Sequence, residues 1–347
     1  MGPRSLIANV KVEGIMKGKF TPKVFSFFLV GFLLAAGSAA AQTIAYRQTN
    51  LASDVPAFAD HTDPFLQNPW GIAVVPRVSF FIANANHGRV ISLDATGSRL
   101  APSGFSVPNP AGTGSATPTG IVADPNSFFR DRNSVPPFII STITAIADGG
   151  IYFWVVNADR SLLPQATLVV DHSQLGAVYT GLAILTPDCC APFLAVANFH
   201  SGFVESFTTN FSLLAPLGSF TDPGLPAGYA PYGMQVIGRQ VFITYSLQDA
   251  AKQNPVFGAG NGIVNVFDLA GNFVRRFATG GPLNAPWGIT QASANFGPFS
   301  NDILIGNVGD GTINAVVLAE QRGNGAHVLA PGIGLEGGAH QWPDGLD

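Results

Sequence analysis

The residues whose types suit ligand binding are aromatic and polar residues in predicted loops. Aromatic rings beside a few convergent polar groups are typical of ligand sites. Beyond residue 41 the chain has a single lysine, Lys252. The predicted ligand-binding residues are Trp70, His87, Asp148, His200, Tyr232, Asp249, Lys252, Trp287 and Asp310.

The sequence contains no recognisable catalytic motif. Ser-His-Asp hydrolysis in one large class of enzymes uses a Gly-x-Ser-x-Gly turn, and no such turn occurs here. The two cysteines are too few for a cysteine-based zinc site, which needs a cluster of four ligands. We therefore assign no catalytic and no metal-binding residues.

Three of the candidate aromatics belong to a short motif that recurs along the chain. The motif is Pro-x-Gly followed by an apolar residue, or a close variant, with glycines at 71, 120, 181, 233 and 288. The steps between these glycines are 49, 61, 52 and 55 residues, the length class of propeller blades.

A second pattern follows most of these glycines: an apolar strand, Asn, a short loop, Gly and another apolar strand, as in 80–93 and 303–316. Alternation rich in Val, Ile and Phe favours half-buried strands. A helical repeat of similar period is the alternative, which the strand pattern and the Gly and Pro content oppose. With an outer strand, each unit has four antiparallel strands, and a radial array of such units is an all-β propeller.

In an up-and-down blade, the loop before the first strand and the loop between the second and third strands lie at the same end. One face should therefore gather the three motif aromatics with His87, Asp148, His200 and Asp310. The longest loop of that face, 246–261, carries Asp249 and Lys252, and loops of this length are usually functional or disordered. The alternative is that the motif aromatics only plug the channel.

Residues 1–41 are predicted to be a signal peptide whose true start is Met16. Three lysines precede an uncharged run from Val24 to Ala36, and Ala39–Ala41 come just before Gln42. The run is too short to span a bilayer comfortably, so no membrane span is expected after cleavage. The predicted location is secreted or periplasmic.

From residue 42 onward the chain has 12 Arg or Lys and 20 Asp or Glu, a net charge of −8. This acidic balance without a basic run disfavours nucleic acid as a partner. Cys189 and Cys190 are adjacent, with Cα atoms about 3.8 Å apart across a trans peptide, closer than in ordinary disulfides. A vicinal disulfide in an oxidising compartment and two unpaired thiols both remain open.

The chain resembles NHL-type six-bladed propellers, and more closely a family of uncharacterised exported bacterial proteins, some with PEP-CTERM sorting tails. The resemblance covers about residues 45–312. It implies a six-bladed fold. The matching stretches are 49–56, 61–64, 68–73, 225–233 and 280–289.

The broader superfamily that the chain resembles includes calcium-dependent lactonases and phosphotriesterases, in which a Glu, Asn and Asp residues hold the metal in the channel. Here the corresponding inner-strand positions carry Trp70, Thr119, Thr180, Tyr232 and Trp287, and only three Glu lie beyond residue 41. Hard cations need several oxygen ligands. No cofactor is therefore expected, with calcium as the alternative.

The C-terminus departs from that family. The propeller domain is predicted to cover 42–322, and a Gly-rich tail, 323–347, stops at 343–347, about where a sixth inner strand would begin. The expectation is a ring whose sixth blade is largely missing, with 43–53 and 323–347 poorly packed and unpaired edges left exposed.

The leading functional prediction is an exported module that binds a ligand or partner, namely a small molecule, a glycan or a protein. The alternatives are a calcium-dependent hydrolase of lactones or phosphoesters and a structural module of the cell surface. The sequence predicts a scaffold more firmly than an activity.

Overall fold

A computed structural model describes residues 6–11, 47–75, 79–100, 104–131, 138–156, 166–214, 220–316 and 329–333. These segments are mainly strands and turns, with two short 3-10 helices at Ser173–Leu175 and Gly297–Phe299. No helix within them is long and apolar enough to cross a membrane. Most of the predicted signal peptide and of the tail 323–347 falls outside these segments.

The first three strands form a small sheet of their own. They are β1 (Leu6–Lys11), β2 (Arg47–Ser53) and β3 (His61–Thr62), in the order β1-β2-β3. Strand β1 pairs antiparallel with β2, and β3 pairs parallel with it. Strand β1 lies within the predicted signal peptide.

The other strands form five consecutive blades, each starting with an inner strand that carries the recurring glycine motif. Blade 1 comprises β4 (Pro69–Val75), β5 (Ser79–Asn84), β6 (Arg89–Leu93) and β7 (Phe105–Ser106). Blade 2 comprises β8 (Pro118–Ala123), β9 (Arg130–Asp131), β10 (Phe138–Ile146), β11 (Gly150–Val156) and β12 (Thr167–Asp171). Blade 3 comprises β13 (Tyr179–Leu185), β14 (Phe193–Asn198) and β15 (Phe203–Thr208). Blade 4 comprises β16 (Tyr229–Ile237), β17 (Gln240–Leu247), β18 (Gly262–Asp268) and β19 (Phe273–Thr279). Blade 5 comprises β20 (Pro286–Gln291), β21 (Ile303–Asn307), β22 (Ile313–Val316) and β23 (Leu329–Ile333).

The prediction of an all-β propeller is confirmed, whereas the described residues form five blades rather than the predicted six. The prediction of four strands per unit does not hold for the described residues of blade 3, which form three strands. Beyond β15, Leu213 makes an isolated antiparallel bridge with Phe207. Farther along, Phe220 packs against Phe267 of blade 4.

The core lies between the blades, because each sheet buries the apolar face that points to its neighbour. Between blades 1 and 2, Phe81 and Phe105 pack in one cluster with Tyr152 and Trp154. Blades 3 and 4 share a similar cluster that includes Phe193 and Tyr245. Strand alternation explains this arrangement, since every second side chain of a strand faces the same neighbour.

The small N-terminal sheet packs against the other face of blade 1. Ala52 and Leu66 are fully buried in a cluster with Ile82, Ile91 and Leu93. The expectation that residues 43–53 would be poorly packed is therefore wrong for the end of β2, where Ala52 and Ser53 are both 0% exposed.

Residues 220–228, which lead into β16, include a buried carboxylate. Asp222 is 7% exposed and pairs with Arg276 of β19. Its Oδ2 also accepts from Asn265 Nδ2 at 3.2 Å, and its Oδ1 from the Gly224 N–H at 2.8 Å. Burial alone would raise the pKa of Asp222, but the hydrogen bonds from Arg276, Gly224 and Asn265 outweigh it and hold the pKa below its ordinary value.

We expect Asp222 to contribute to acid sensitivity. A carboxyl with a lowered folded-state pKa stabilises the fold above its ordinary pKa, and this stabilisation is lost as pH falls through the lowered value, below about pH 4. Asp222→Asn should therefore cost about 1–3 kcal/mol at neutral pH and flatten the loss of stability in acid. Thermal melts between neutral and strongly acidic pH test this. Asp188→Asn, in an ion pair whose side chains are 70% and 80% exposed, is the control and should change neither property.

Candidate functional site

The motif aromatics meet at the end of the channel where the inner strands begin. The rings of Trp70 and Trp287 lie edge to face with centroids 5.6 Å apart, and those of Trp70 and Tyr232 are 6.0 Å apart. Phe199 adds a fourth ring, 5.0 Å from Tyr232. We call Trp70, Phe199, Tyr232 and Trp287 the aromatic cluster. The sequence placed three of its members on one face, and the structure brings these three together.

Burial divides the aromatic cluster into two kinds of residue. Tyr232 is 2% exposed and Phe199 is fully buried, so both form the base of the cluster. Trp70 and Trp287 are only partly buried. Their ring nitrogens are engaged, because Trp287 Nε1 donates to the Thr180 carbonyl at 2.9 Å and Trp70 Nε1 donates to Asn68 Oδ1 at 3.2 Å.

The backbone before each of these two tryptophans is unusual. Asn68 and Ala285 both precede the motif proline, and both have positive φ values, 50° and 46°. The left-handed region is disfavoured for a residue with a Cβ, and Ala285 is fully buried. Strained backbone persists where the surrounding structure imposes it, often at functional sites. The packing of the surrounding residues therefore maintains this strained backbone and fixes the positions of Trp70 and Trp287.

A central cavity of about 350 Å³ lies beside Trp287. Its wall is mainly apolar, with Gln235 and Thr290 as polar members. The backbone of several motif glycines also lines the cavity. The larger aliphatic residues in the lining are Ile72, Ile121, Val122, Leu182, Met234, Ile289, Leu304 and Ile313.

The predicted carboxylates all accept hydrogen bonds from backbone N–H groups. Asp148 Oδ2 accepts the Thr117 N–H at 2.6 Å. Asp249 Oδ1 accepts the Gln253 N–H at 2.9 Å, and Asp310 Oδ1 accepts the Thr312 N–H at 3.0 Å. The contacts of Asp249 and Asp310 are local, as Asp side chains in turns routinely make, whereas Asp148 bonds a residue that is distant in sequence. None of these three carboxylates lines the central cavity.

The predicted basic residues are spread over the same face. His87 packs edge to face on Phe65 with centroids 5.5 Å apart. His200 Nδ1 lies 3.4 Å from Gln253 Nε2, and Lys252 is exposed. Within the described part of the chain, no group of three or more His, Cys, Asp or Glu side chains converges. The nine predicted residues therefore do not converge on a single site.

Sequence reasoning missed a polar cluster at blade 3. The Tyr179 hydroxyl donates to Glu205 Oε2 at 2.7 Å and lies 2.6 Å from His172 Nδ1, while Asn198 Nδ2 donates to Glu205 Oε1 at 2.6 Å. Burial, and then the charge of Glu205, raises the pKa of Tyr179 far above its ordinary value. The tyrosine therefore stays protonated as a donor. The rarity of Glu beyond residue 41 was the one available signal.

We expect Glu205→Ala to cost about 2–3 kcal/mol, because the buried Tyr179 hydroxyl and the Asn198 amide lose their acceptor. Chemical denaturation measures this free energy. Asp188→Ala removes the exposed pair with Arg239 and should cost only about 0–1 kcal/mol. Equal losses in the two variants would show that the polar cluster adds nothing to the fold.

The two cysteines form a disulfide between neighbours. Cys189 and Cys190 are bonded, with Cα atoms 3.8 Å apart, in the turn between β13 and β14. Of the two possibilities that the sequence left open, the structure has the vicinal disulfide. It lies at the opposite end of blade 3 from the aromatic cluster, because β13 runs from one end to the other.

Relatives of the chain occur among proteins of Acanthamoeba polyphaga mimivirus. Uncharacterized protein R648 is 32% identical over 265 residues, which cover 74% of this chain and 63% of R648. Uncharacterized protein L690 is 30% identical over 277 residues, covering 76% of this chain and 69% of L690. The chain thus spans less than two thirds of R648. No protein-family model matches it.

Solved structures that resemble this chain include virginiamycin B lyase from Staphylococcus aureus. It has 9% sequence identity and a TM-score of 0.45, over 73% of this chain and 68% of the lyase. A protein from Lactobacillus plantarum gives 14% identity and a TM-score of 0.45, over 85% and 93% of the two chains. Likenesses this distant carry no inference about activity.

The sheets and their order define the class of this protein as an all-β propeller. The chain belongs to the same family as the mimivirus protein L690. The bacterial family with sorting tails, which the sequence resembled, finds no support among these relatives, which are viral.

Proposed function

We propose that this protein is an exported propeller that binds an apolar ligand, or an apolar part of a partner, in its central cavity without catalysing a reaction. The observation that supports this is the apolar wall of the central cavity beside Trp287. Small-molecule sites are largely apolar and contain a few polar groups that fix orientation. Here Gln235 and Thr290 are the polar groups.

The aromatic cluster gives the ligand a rigid wall. Trp287 is fixed by its hydrogen bond to Thr180 and by its ring contact with Trp70. Rigid aromatic side chains lose little entropy on binding and often dominate recognition. An apolar small molecule or an apolar group of a glycan or protein fits this chemistry, whereas a strongly charged ligand does not.

Titration with the uncharged fluorescent probe N-phenyl-1-naphthylamine tests the proposal. Gln235 is exposed and lines the cavity, so Gln235→Trp should fill the space with little effect on stability and abolish saturable binding. Gln291→Trp is the matched control, because Gln291 is an exposed glutamine at the end of β20 that does not line the cavity. Equal binding by the two variants would contradict the proposed site.

Calorimetric titration with Ca²⁺ addresses the competing hydrolase. The binding proposal expects neither tight calcium uptake nor turnover of a panel of lactones and phosphoesters. Calcium uptake coupled to hydrolysis would overturn the proposal.

Export is the second part of the proposal. The predicted signal peptide supports it, and so does the disulfide between Cys189 and Cys190, since disulfides persist mainly in oxidising compartments. Strand β1 opposes it, because cleavage after Ala41 would remove Leu6–Lys11 from the sheet. Sequencing the N-terminus of the protein from a secreting host decides: export predicts Gln42 as the first residue, and retention of residues 6–11 refutes cleavage.

A further inference from the structure

Apolar side chains close the end of the central cavity where the inner strands begin. Residues of all five blades meet there around the aromatic cluster. They are Trp70, Ala147, Val178, Phe199, Ala230, Tyr232, Trp287 and Val308. Trp287 belongs both to this group and to the cavity lining. A ligand therefore meets a hydrophobic surface at this end.

The cavity has a polar side farther along the inner strands. Gln235 and Thr290 line it, and each is three residues beyond the aromatic residue of its motif. At about 3.3 Å per residue of strand, both lie about 10 Å from the aromatic end. Both are exposed, whereas Met234 and Ile289, one position earlier, are 7% and 8% exposed. The cavity therefore has an apolar end and a polar, solvent-accessible end.

The polarity of these two positions is not a property of the repeat. In blades 1 to 3 the residue two places after the motif glycine is Ala73, Val122 or Ala183. Only blades 4 and 5 have polar residues there, and their inner strands, β16 and β20, pack on each other. Gln235 Nε2 donates to the carbonyl of its neighbour Val236 at 3.3 Å, a contact that joins no two strands. The fold alone thus gives little reason for a polar pair at one side of the cavity.

The chemistry of this pair selects an uncharged group. Among the described residues that line the cavity, none has a charged side chain. A carboxylate or ammonium group would lose hydration there without gaining a partner of opposite charge, which is unfavourable. The amide of Gln235 and the hydroxyl of Thr290 can each donate and accept hydrogen bonds. They therefore match a hydroxyl, amide or ester group.

We infer that the ligand of the central cavity is a neutral amphiphile, with its aliphatic end against Trp287 and an uncharged hydroxyl, amide or ester head group at Gln235 and Thr290. The inference rests on the proposed function and adds the class and the orientation of the ligand. The cavity volume of about 350 Å³ is near the lower limit for small-molecule sites. A single aliphatic chain of medium length meets these requirements.

Displacement of N-phenyl-1-naphthylamine tests the class of ligand. Both 1-decanol and 1-chlorodecane have the same chain, but only the alcohol has a hydroxyl group. Gln235→Leu removes a hydrogen-bonding partner of the head group, so it should weaken displacement by 1-decanol, relative to 1-chlorodecane, about three- to tenfold. Gln291→Leu, at an exposed position of β20 outside the lining, is the matched control and should leave the ratio as it is. The same ratio in both variants would overturn the assignment of the head group.

An introduced charge tests the orientation. Gln235→Lys places an ammonium group where the head group is expected, and charge-assisted hydrogen bonds are strong. Decanoate should therefore displace the probe at a concentration about tenfold or more below that needed with the unchanged protein. Gln291→Lys adds the same charge outside the lining and should have a much smaller effect. Equal gains in the two variants would mean attraction by surface charge alone and would contradict the orientation.

The same titrations distinguish failure of the inference from failure of the proposed function. If the unchanged protein does not bind the probe, the proposed apolar site is refuted, and the inferred ligand with it. If the probe binds but 1-decanol does not displace it, the apolar site stands and the neutral amphiphile is refuted.

Discussion

Gly233→Ala is expected to destabilise the protein by at least about 3 kcal/mol, the upper range for overpacking a core. The added methyl group would overlap the carbonyl oxygen of Trp287 and lie 3.0 Å from Thr244 Oγ1. Backbone cannot rotate away as a side chain can. Trp287 is moreover held by its ring contact with Trp70 and its hydrogen bond to Thr180.

Urea denaturation of Gly233→Ala measures this loss, and Gly114→Ala is the matched control. Gly114 lies in an exposed loop, and its added methyl group would meet only Asn109 Nδ2, at 3.4 Å. The control should change stability by less than about 0.5 kcal/mol. If Gly233→Ala were equally mild, blades 4 and 5 would have to be more loosely packed in solution than the contacts of Gly233 imply.

The repeat explains why much of the fold could be predicted from sequence. A glycine is required at 71, 120, 181 and 233, where two inner strands approach closely, and Gly288 holds the equivalent position in blade 5. The spacing of these glycines therefore indicates the blades directly. The outer strands have no comparable recurring motif in the sequence. The segment that leads into blade 4 is anchored through Asp222 to Arg276 and Asn265, and contacts between distant residues have no fixed spacing in sequence.

Part of the candidate site could likewise be predicted from the sequence, and part could not. Trp70, Tyr232 and Trp287 occupy equivalent positions of the repeat, and equivalent positions converge at the channel, so their contact followed from the sequence. The polar candidates did not converge, because Asp148, Asp249 and Asp310 each accept a hydrogen bond from a different backbone N–H group. The cluster of Tyr179, His172 and Glu205 was missed because it draws on a loop and two strands at unrelated spacings.

Tyr232→Ala is expected to cost about 3–5 kcal/mol, as truncation of a buried aromatic residue does. Tyr232 is 2% exposed and contacts Phe199 and Trp70, so its removal leaves a cavity at the base of the aromatic cluster. Tyr232→Phe keeps the ring and is the control, with a loss of less than about 1.5 kcal/mol. Thermal melts and urea denaturation of the two variants give the comparison.

Trp287→Ala separates a binding role from a packing role. Trp287 is partly buried and lines the central cavity, so its truncation should cost less stability than Tyr232→Ala. It should also weaken binding of N-phenyl-1-naphthylamine about tenfold or more, as loss of an aromatic anchor does. Trp287→Phe keeps most of the ring and should keep most of the binding, although it loses the hydrogen bond to Thr180. If Trp287→Ala lowers stability as much as Tyr232→Ala while the probe binds as before, the whole aromatic cluster is a plug of the channel and the ligand site lies elsewhere.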